Sequence, residues 1–360
     1  MGLESISAAM SPRATANLPP APAGVEDDNG LPRFGTYAGS VAEVNLARLR
    51  GVFALSRPMR LVKHKRWQYV MVASPEILAV LSIADLSYTA NAFACAVDLR
   101  EKKVLFDGGY MGLPSPFTLV SNHPAEGARA RFAAPGARFF FERPRGQDRY
   151  RIAVDLKRLG RARFSCSAEL TASPAPPLTV IAPVPDGGVV NVTQKWAALP
   201  AAGTIEAAGR RYVLDGAFAG LDYTNGYLAR RTKWRWAFAA GRLPDGTPLG
   251  LNAVAGFNDA TDEANENALW LGERLISLPR VRFDFNPANV LEPWELKTED
   301  GQLSLRFLPV HAHREERDYK IVKSHFVQPL GWFEGEIAID DKVVAIERLP
   351  GVVEDQDILW

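Results

Sequence analysis

The segment Thr232–Asn258, TKWRWAFAAGRLPDGTPLGLNAVAGFN, reads as two strand-length runs joined by Pro244-Asp245-Gly246. Proline presets φ, aspartate caps the following backbone and glycine accepts a left-handed conformation, so the three together mark a hairpin turn. Along the first run, alternation places Trp234, Trp236 and Phe238 on one face and Arg231, Lys233 and Arg235 on the other. One face is therefore dry. Along the second run, Asn252, Val254, Gly256 and Asn258 share a face, and a carboxamide turned inward needs hydrogen-bond partners or a ligand.

Outward from this hairpin the same pattern recurs. Short β-branched and aromatic runs such as RWQYVMVA (66–73), ARFFFERP (137–144), LTVIAPV (178–184) and WELKTEDGQLSLRF (294–307) are each bounded by Gly, Pro or Asp. The only helical stripe is SVAEVNLARLRGVFAL (40–55). This pattern predicts an all-β chain of two antiparallel barrel or sandwich modules packed side by side, with few short helices. A flexible arm is expected over 1–30, a first module over 31–185, and a second over 186–360 carrying the main motifs. The boundary is placed at the Pro and Gly cluster in PVPDGGVVNVTQKW (183–196). The second module is expected to be hollow, with its tryptophans and amides turned toward a guest molecule.

Composition narrows the function. The chain has 360 residues, with 42 Lys plus Arg against 41 Asp plus Glu, so no net field draws it to a polyanion and nucleic acid is not an expected partner. No run approaches the length of a membrane span, and the N-terminal segment lacks the apolar core of a secretory signal, so a cytoplasmic protein is expected. The two cysteines, Cys95 and Cys166, suit a reducing compartment and read as buried core residues. No dinucleotide fingerprint, phosphate loop, serine-nucleophile elbow or paired Cys-x-x-Cys is present, and no cofactor is expected.

What remains is a set of aromatic, amide and acidic residues. Asp222 and Tyr223 in LDYTNGYL, and Glu266 beside the Trp270 strand, are the candidate acids, since a carboxyl at the mouth of an apolar cavity has its ionised form disfavoured. Tyr88, Arg231, Trp234, Trp236, Asn252, Asn258, Asn267 and Trp270 are the candidate substrate contacts. Turn capping competes as the role of Asp222 and of Asp85 in ADLSY. The acidic loop 259–266, with Asp262 and Glu263, lacks calcium-loop spacing and reads as a solvated turn. His311 and His313 face one way on a strand, but spacing marks no third ligand, so they read as surface histidines and no metal is expected.

The motifs DYTNGYLARRTKWRWAFA, GLNAVAGFN, ENALWLGERL, VRFDFNP and SHFVQPLGWFEGEI resemble the bacterial family called domain of unknown function 2804. The closing GVVEDQDILW is similar to a family ending that more often has His at the position of Gln356, and Ser87 stands where the family often has Gly. More distantly, the chain resembles the lipocalin-like superfamily that includes carotenoid 1,2-hydratase. That resemblance implies two lipocalin-like modules with a ligand site inside one or between them. Two functions fit. One is a cofactor-independent lyase or isomerase that hydrates, isomerises or cyclises a hydrophobic unsaturated or carbonyl-bearing molecule by general acid/base chemistry. The other is a non-catalytic binder of a lipid or other apolar molecule.

Overall fold

The computed structural model describes residues 18–157, 163–259, 264–318, 320, 322–340 and 342–360. Residues 1–17 of the expected arm, and Asp262 and Glu263 of the acidic loop, lie outside that description. Strands make up 62% of the chain and helix 4%, arranged as two curled antiparallel sheets that form a near-barrel and a half-barrel. The all-β expectation holds. No helix among the described residues is long and apolar enough to cross a membrane.

The first sheet runs from an edge at Lys103–Gly112 through Ala90–Asp98, Ile77–Asp85, His64–Ala73, Ala217–Tyr227 and Val190–Ala207. It continues through Phe164–Thr171, Arg149–Leu156, Ala137–Glu142 and Arg129–Ala134 to Thr118–Val120. Its two ends curl toward each other: a Cβ built at Gly112 would lie 2.4 Å from the Phe132 ring, so only glycine lets these edges meet. In the second sheet the order is Arg274–Ser277, Ala268–Leu271, Pro248–Ala255, Arg231–Arg242, Lys342–Leu359, Lys323–Ile339, Leu303–Asp318, Trp294–Thr298 and Val281–Asp284.

The chain changes sheet between Tyr227 and Arg231, because the strands Val190–Ala207 and Ala217–Tyr227 pair within the first sheet. The sheets therefore do not part at 185/186, where the Pro and Gly cluster suggested. That cluster is instead a tight turn, with Asp186 and Gly187 at φ 56° and 85°, joining Leu178–Pro183 to Val190–Ala207 within one ladder. The helical stripe is also corrected. Residues 40–55 form two 3₁₀ turns, Leu46–Arg48 and Gly51–Phe53, separated by Leu49 and Arg50, the second opening on Gly51 at φ 59°, while the α-helix follows at Arg57–Lys63. The stripe's Val41, Val44, Leu46 and Leu49 are buried all the same, as contacts of an irregular segment. Residues 18–30 of the arm pack on the first module, with Val25 fully buried and bridges from Pro20 to Ala38 and from Gly24 to Glu43.

The opening hairpin forms as read. Arg231–Arg242 pairs with Pro248–Ala255 around Pro244-Asp245-Gly246, and Asp245 Oδ1 accepts from the Thr247 amide at 2.9 Å. Alternation along it places Trp236 and Phe238 in the core shared with the first sheet, and Ala237 and Ala239 in a separate cluster on the half-barrel's enclosed face. That face is filled by Leu251, Trp294, Phe307, Phe333 and Val353, so the second module is not hollow. Trp234, Trp236 and Trp270 turn to the opposite side, toward the first sheet. Close approach there depends on missing side chains: a Cβ on Gly220 would lie 2.2 Å from the Phe238 ring, and one on Gly250 2.5 Å from Ala197 Cβ.

Candidate active site

Between the sheets lies a cavity of about 130 Å³, comparable to engineered cavities that accept benzene. Trp67, Tyr69 and Phe93 wall it from the first sheet, and Trp234, Trp236, Phe257 and Phe326 from the second module. Trp67 and Trp234 stack across the seam with ring centroids 5.9 Å apart and an interplanar angle of 18°. Each also fixes a carboxyl of its own sheet: Trp67 Nε1 donates to Asp222 Oδ2 at 3.1 Å, and Trp234 Nε1 to Glu354 Oε1 at 2.6 Å. The paired rings thus position two acids on opposite walls.

One cation sits among these acids. Lys195 Nζ lies 2.6 Å from Asp222 Oδ1 and 3.4 Å from Glu266 Oε2, and 5.1 Å from the Trp236 ring centroid. Burial disfavours its charge, but Asp222 and Glu266 outweigh burial and hold its pKa above the ordinary lysine value. It stays an ammonium. Glu266 is shifted upward by burial, with Asp222 adding repulsion and Lys195 opposing both. Glu354 is pushed up to about 7, first by burial and then by the charge of Asp222, while hydrogen bonds from Trp234 and Gln328 pull the other way. Gln328 Nε2 donates to Glu354 Oε2 at 2.6 Å, and Tyr69 Oη donates to Gln328 Oε1 at 3.2 Å. Glu354 is therefore a cavity carboxyl that exchanges a proton near neutral pH.

Of the candidate residues, Asp222, Glu266, Trp234 and Trp236 line this cavity. Asp222 lies within a strand, paired opposite Tyr69, and caps no turn. Asp85 does cap one, accepting from the Ser87 amide at 2.9 Å. Strand alternation sends Tyr223 to the opposite face, into the near-barrel, where its Oη donates to Ser121 O at 3.0 Å and burial raises its pKa. It does not reach the cavity. Asn252 and Asn258 stand behind Glu266: Asn252 accepts from Trp236 Nε1 and donates to Glu266 O, and Asn258 Nδ2 donates to Glu266 Oε1 at 3.1 Å. Asn267 binds the Val254 amide, and Trp270 is buried with its Nε1 on Pro176 O. Both are structural contacts away from the cavity.

Arg231 lies on the outer face of its strand, paired with Asp357 at 2.7 Å, because it shares the parity of Lys233 and not of Trp234. Tyr88 is 41% exposed and covers the buried Lys65 ammonium at 4.4 Å, outside the cavity lining. Gln356, where the resemblance pointed to a frequent His, does line the cavity. Lys195, Glu354, Gln328, Tyr69 and Trp67 were missed by sequence reasoning. Glu354 had a usable signal: it lies two residues from Gln356, hence on the same strand face. Lys195 and Gln328 carried none, because each meets its partner only once its strand is paired with another.

Of the two histidines expected on the surface, His313 is buried and His311 is part-exposed. Asp107, from the first sheet, accepts from His311 Nε2 at 2.7 Å and His313 Nδ1 at 2.5 Å. His313 stacks on the back of the cavity residue Phe93 with ring centroids 4.6 Å apart, and Asp107 and Glu315 outweigh its burial to raise its pKa to about 9. Cys95 and Cys166 are both buried and unpaired in disulfides.

Residues 20–360 match the family described as domain of unknown function (DUF2804). Among solved structures, the chain is similar to CghA in complex with Sch210972, at 13% identity and a TM-score of 0.53, covering 95% of this chain and 98% of that one. CghA alone aligns at 12% identity and a TM-score of 0.52, covering 94% and 97% of the two chains. Kievitone hydratase from Nectria haematococca aligns at 11% identity and a TM-score of 0.47, covering 91% and 98%. At these identities the likeness concerns the fold. A search of curated proteins returned no match.

Proposed function

The chain belongs to the DUF2804 family, and we propose that this member is a cofactor-independent enzyme that moves a proton on a hydrophobic, unsaturated or carbonyl-bearing small molecule. One observation carries the proposal: the buried Glu354 carboxyl, oriented by Trp234 and Gln328 and poised at about 7, faces an aromatic cavity. In this reading the aromatic walls bind and dehydrate the substrate. Glu354 donates a proton to it and recovers one afterward, work worth about 10²–10⁴ in rate for a well-placed acid. Lys195, fixed by Asp222 and Glu266, meets negative charge developing on a substrate oxygen. Hydration, isomerisation and cyclisation share this step. Asp222 and Glu266 thus act through Lys195, and Asn252 and Asn258 act by holding Glu266 and Trp236.

The lipocalin-like neighbours support a fold able to hold such a molecule between two β modules. The test begins with whatever ligand survives purification, identified by mass spectrometry and returned to the enzyme in D₂O. Wild-type protein should incorporate deuterium into the ligand. Glu354→Gln should bind it and incorporate none. Equal incorporation by both proteins would remove Glu354 from the chemistry, and tight binding with no incorporation by wild type would leave a binding protein.

A further inference from the structure

We infer that Cys95, Asp107 and His311 form a metal site, suited to Zn²⁺, that ties the free edge region of the first sheet to the second sheet. The three side chains place one ligand atom each within 4.8 Å of one another. Cys95 and Asp107 are direct register partners on adjacent strands of the first sheet, and His311 comes from Leu303–Asp318 of the second. Around zinc, with bonds of about 2.0–2.3 Å, tetrahedral ligand atoms lie roughly 3.3–3.7 Å apart. His311 Nε2 and Asp107 Oδ2, now 2.7 Å apart, would open by roughly 0.6 Å to admit the ion, while the wider separations, all within 4.8 Å, would close toward that geometry.

The donor chemistry selects the ion. A thiolate with an imidazole and a carboxylate suits zinc, whereas calcium and magnesium take oxygen ligands. His311 follows a register irregularity between Pro309 and His311, a local distortion of the kind that re-aims a side chain. The carboxylate is also held from behind: His313 Nδ1 contacts Asp107 Oδ1 while His311 faces Oδ2, the outer support expected for a ligating carboxylate. The Asp107 and His311 side chains are each 29% exposed, so an ion reaches them from solvent, while Cys95 is sealed beneath. Three protein ligands leave a fourth position for water. A hydrogen-bonded His–Asp pair beside an inert thiol is the competing description.

The experiment uses the full chain without an affinity tag, stripped with chelator and titrated with Co²⁺, then Zn²⁺. Expected are one Co²⁺ per chain, a near-ultraviolet thiolate-to-cobalt absorption displaced by Zn²⁺, and the same band in Cys166→Ser. Cys95→Ser should lose the band, and His311→Ala should weaken Co²⁺ binding at least tenfold, within the about 10–100-fold range even for supporting residues. Circular dichroism of the metal-free variants checks folding. If Cys95→Ser does not fold, the part-exposed His311 position decides alone. Absence of stoichiometric Co²⁺ binding, a band that persists in Cys95→Ser, or unchanged affinity in His311→Ala would overturn the assignment. None of these outcomes bears on Glu354.

Discussion

Replacing Glu354 by glutamine removes a carboxyl that burial between the sheets holds at about 7, against an ordinary value of 4.5. The difference corresponds to about 3 kcal/mol. The folded protein keeps this proton where the unfolded chain has already released it. The associated stability is thus fully present below pH 4.5 and is lost as pH rises through about 7. Between pH 5 and pH 8 the wild-type unfolding free energy should fall by roughly 2–3 kcal/mol relative to Glu354→Gln. Urea unfolding of both proteins at half-unit pH intervals measures this, since groups common to both cancel in the difference. The glutamine amide must point a donor at Trp234 or Gln328, which adds an offset but no pH dependence. A difference that stayed flat, or rose with pH, would refute a protonated Glu354 in the folded state. A ¹³C NMR titration of labelled glutamates should show one midpoint near 7 that disappears in the variant.

Lys195→Met should destabilise the protein by about 3–5 kcal/mol, because Asp222 and Glu266 lose their buried cation. Urea unfolding measures this, and adding Asp222→Asn should recover part of the loss. Gly220→Ala should cost about 1–3 kcal/mol through overpacking against Phe238, and Phe238→Leu in the same chain should cost less than the two changes summed. Ser87 has φ 72° and its Oγ donates to His64 O at 2.9 Å. Ser87→Ala should lose about 1 kcal/mol by thermal unfolding, whereas Ser87→Gly relieves backbone strain of similar size and should remain near wild type.

The fold class was legible because strand patterning is local: the Pro244-Asp245-Gly246 hairpin and the parity of Trp234, Trp236 and Phe238 follow from neighbours in sequence. Parity also explains the failures within the same stretch. Tyr223 and Arg231 were grouped with Asp222 and Trp234 by composition, yet a one-residue offset turns each to the opposite face. The boundary near 185 was misplaced because prolines and glycines build a turn within a sheet as readily as a link between sheets. Lys195, Gln328 and Asp107 were invisible for a different reason. Their roles arise only when separate strands are laid together, from 26 residues apart for Gln328 and Glu354 to 204 for Asp107 and His311, and nothing local to KWAAL, FVQPL or LFDGG marks that encounter.

The three residues 228–230, between the last strand of one sheet and the first of the other, carry a further consequence. Lys195 and Asp222 precede them, and Glu266 and Glu354 follow. A chain opened at that point would yield two fragments, neither with the full set of acids, and each exposing one half of the Trp67–Trp234 stack. Reassociation of the fragments would then depend on any molecule lodged between them, so a small-molecule library could be screened by fragment complementation without knowing the reaction.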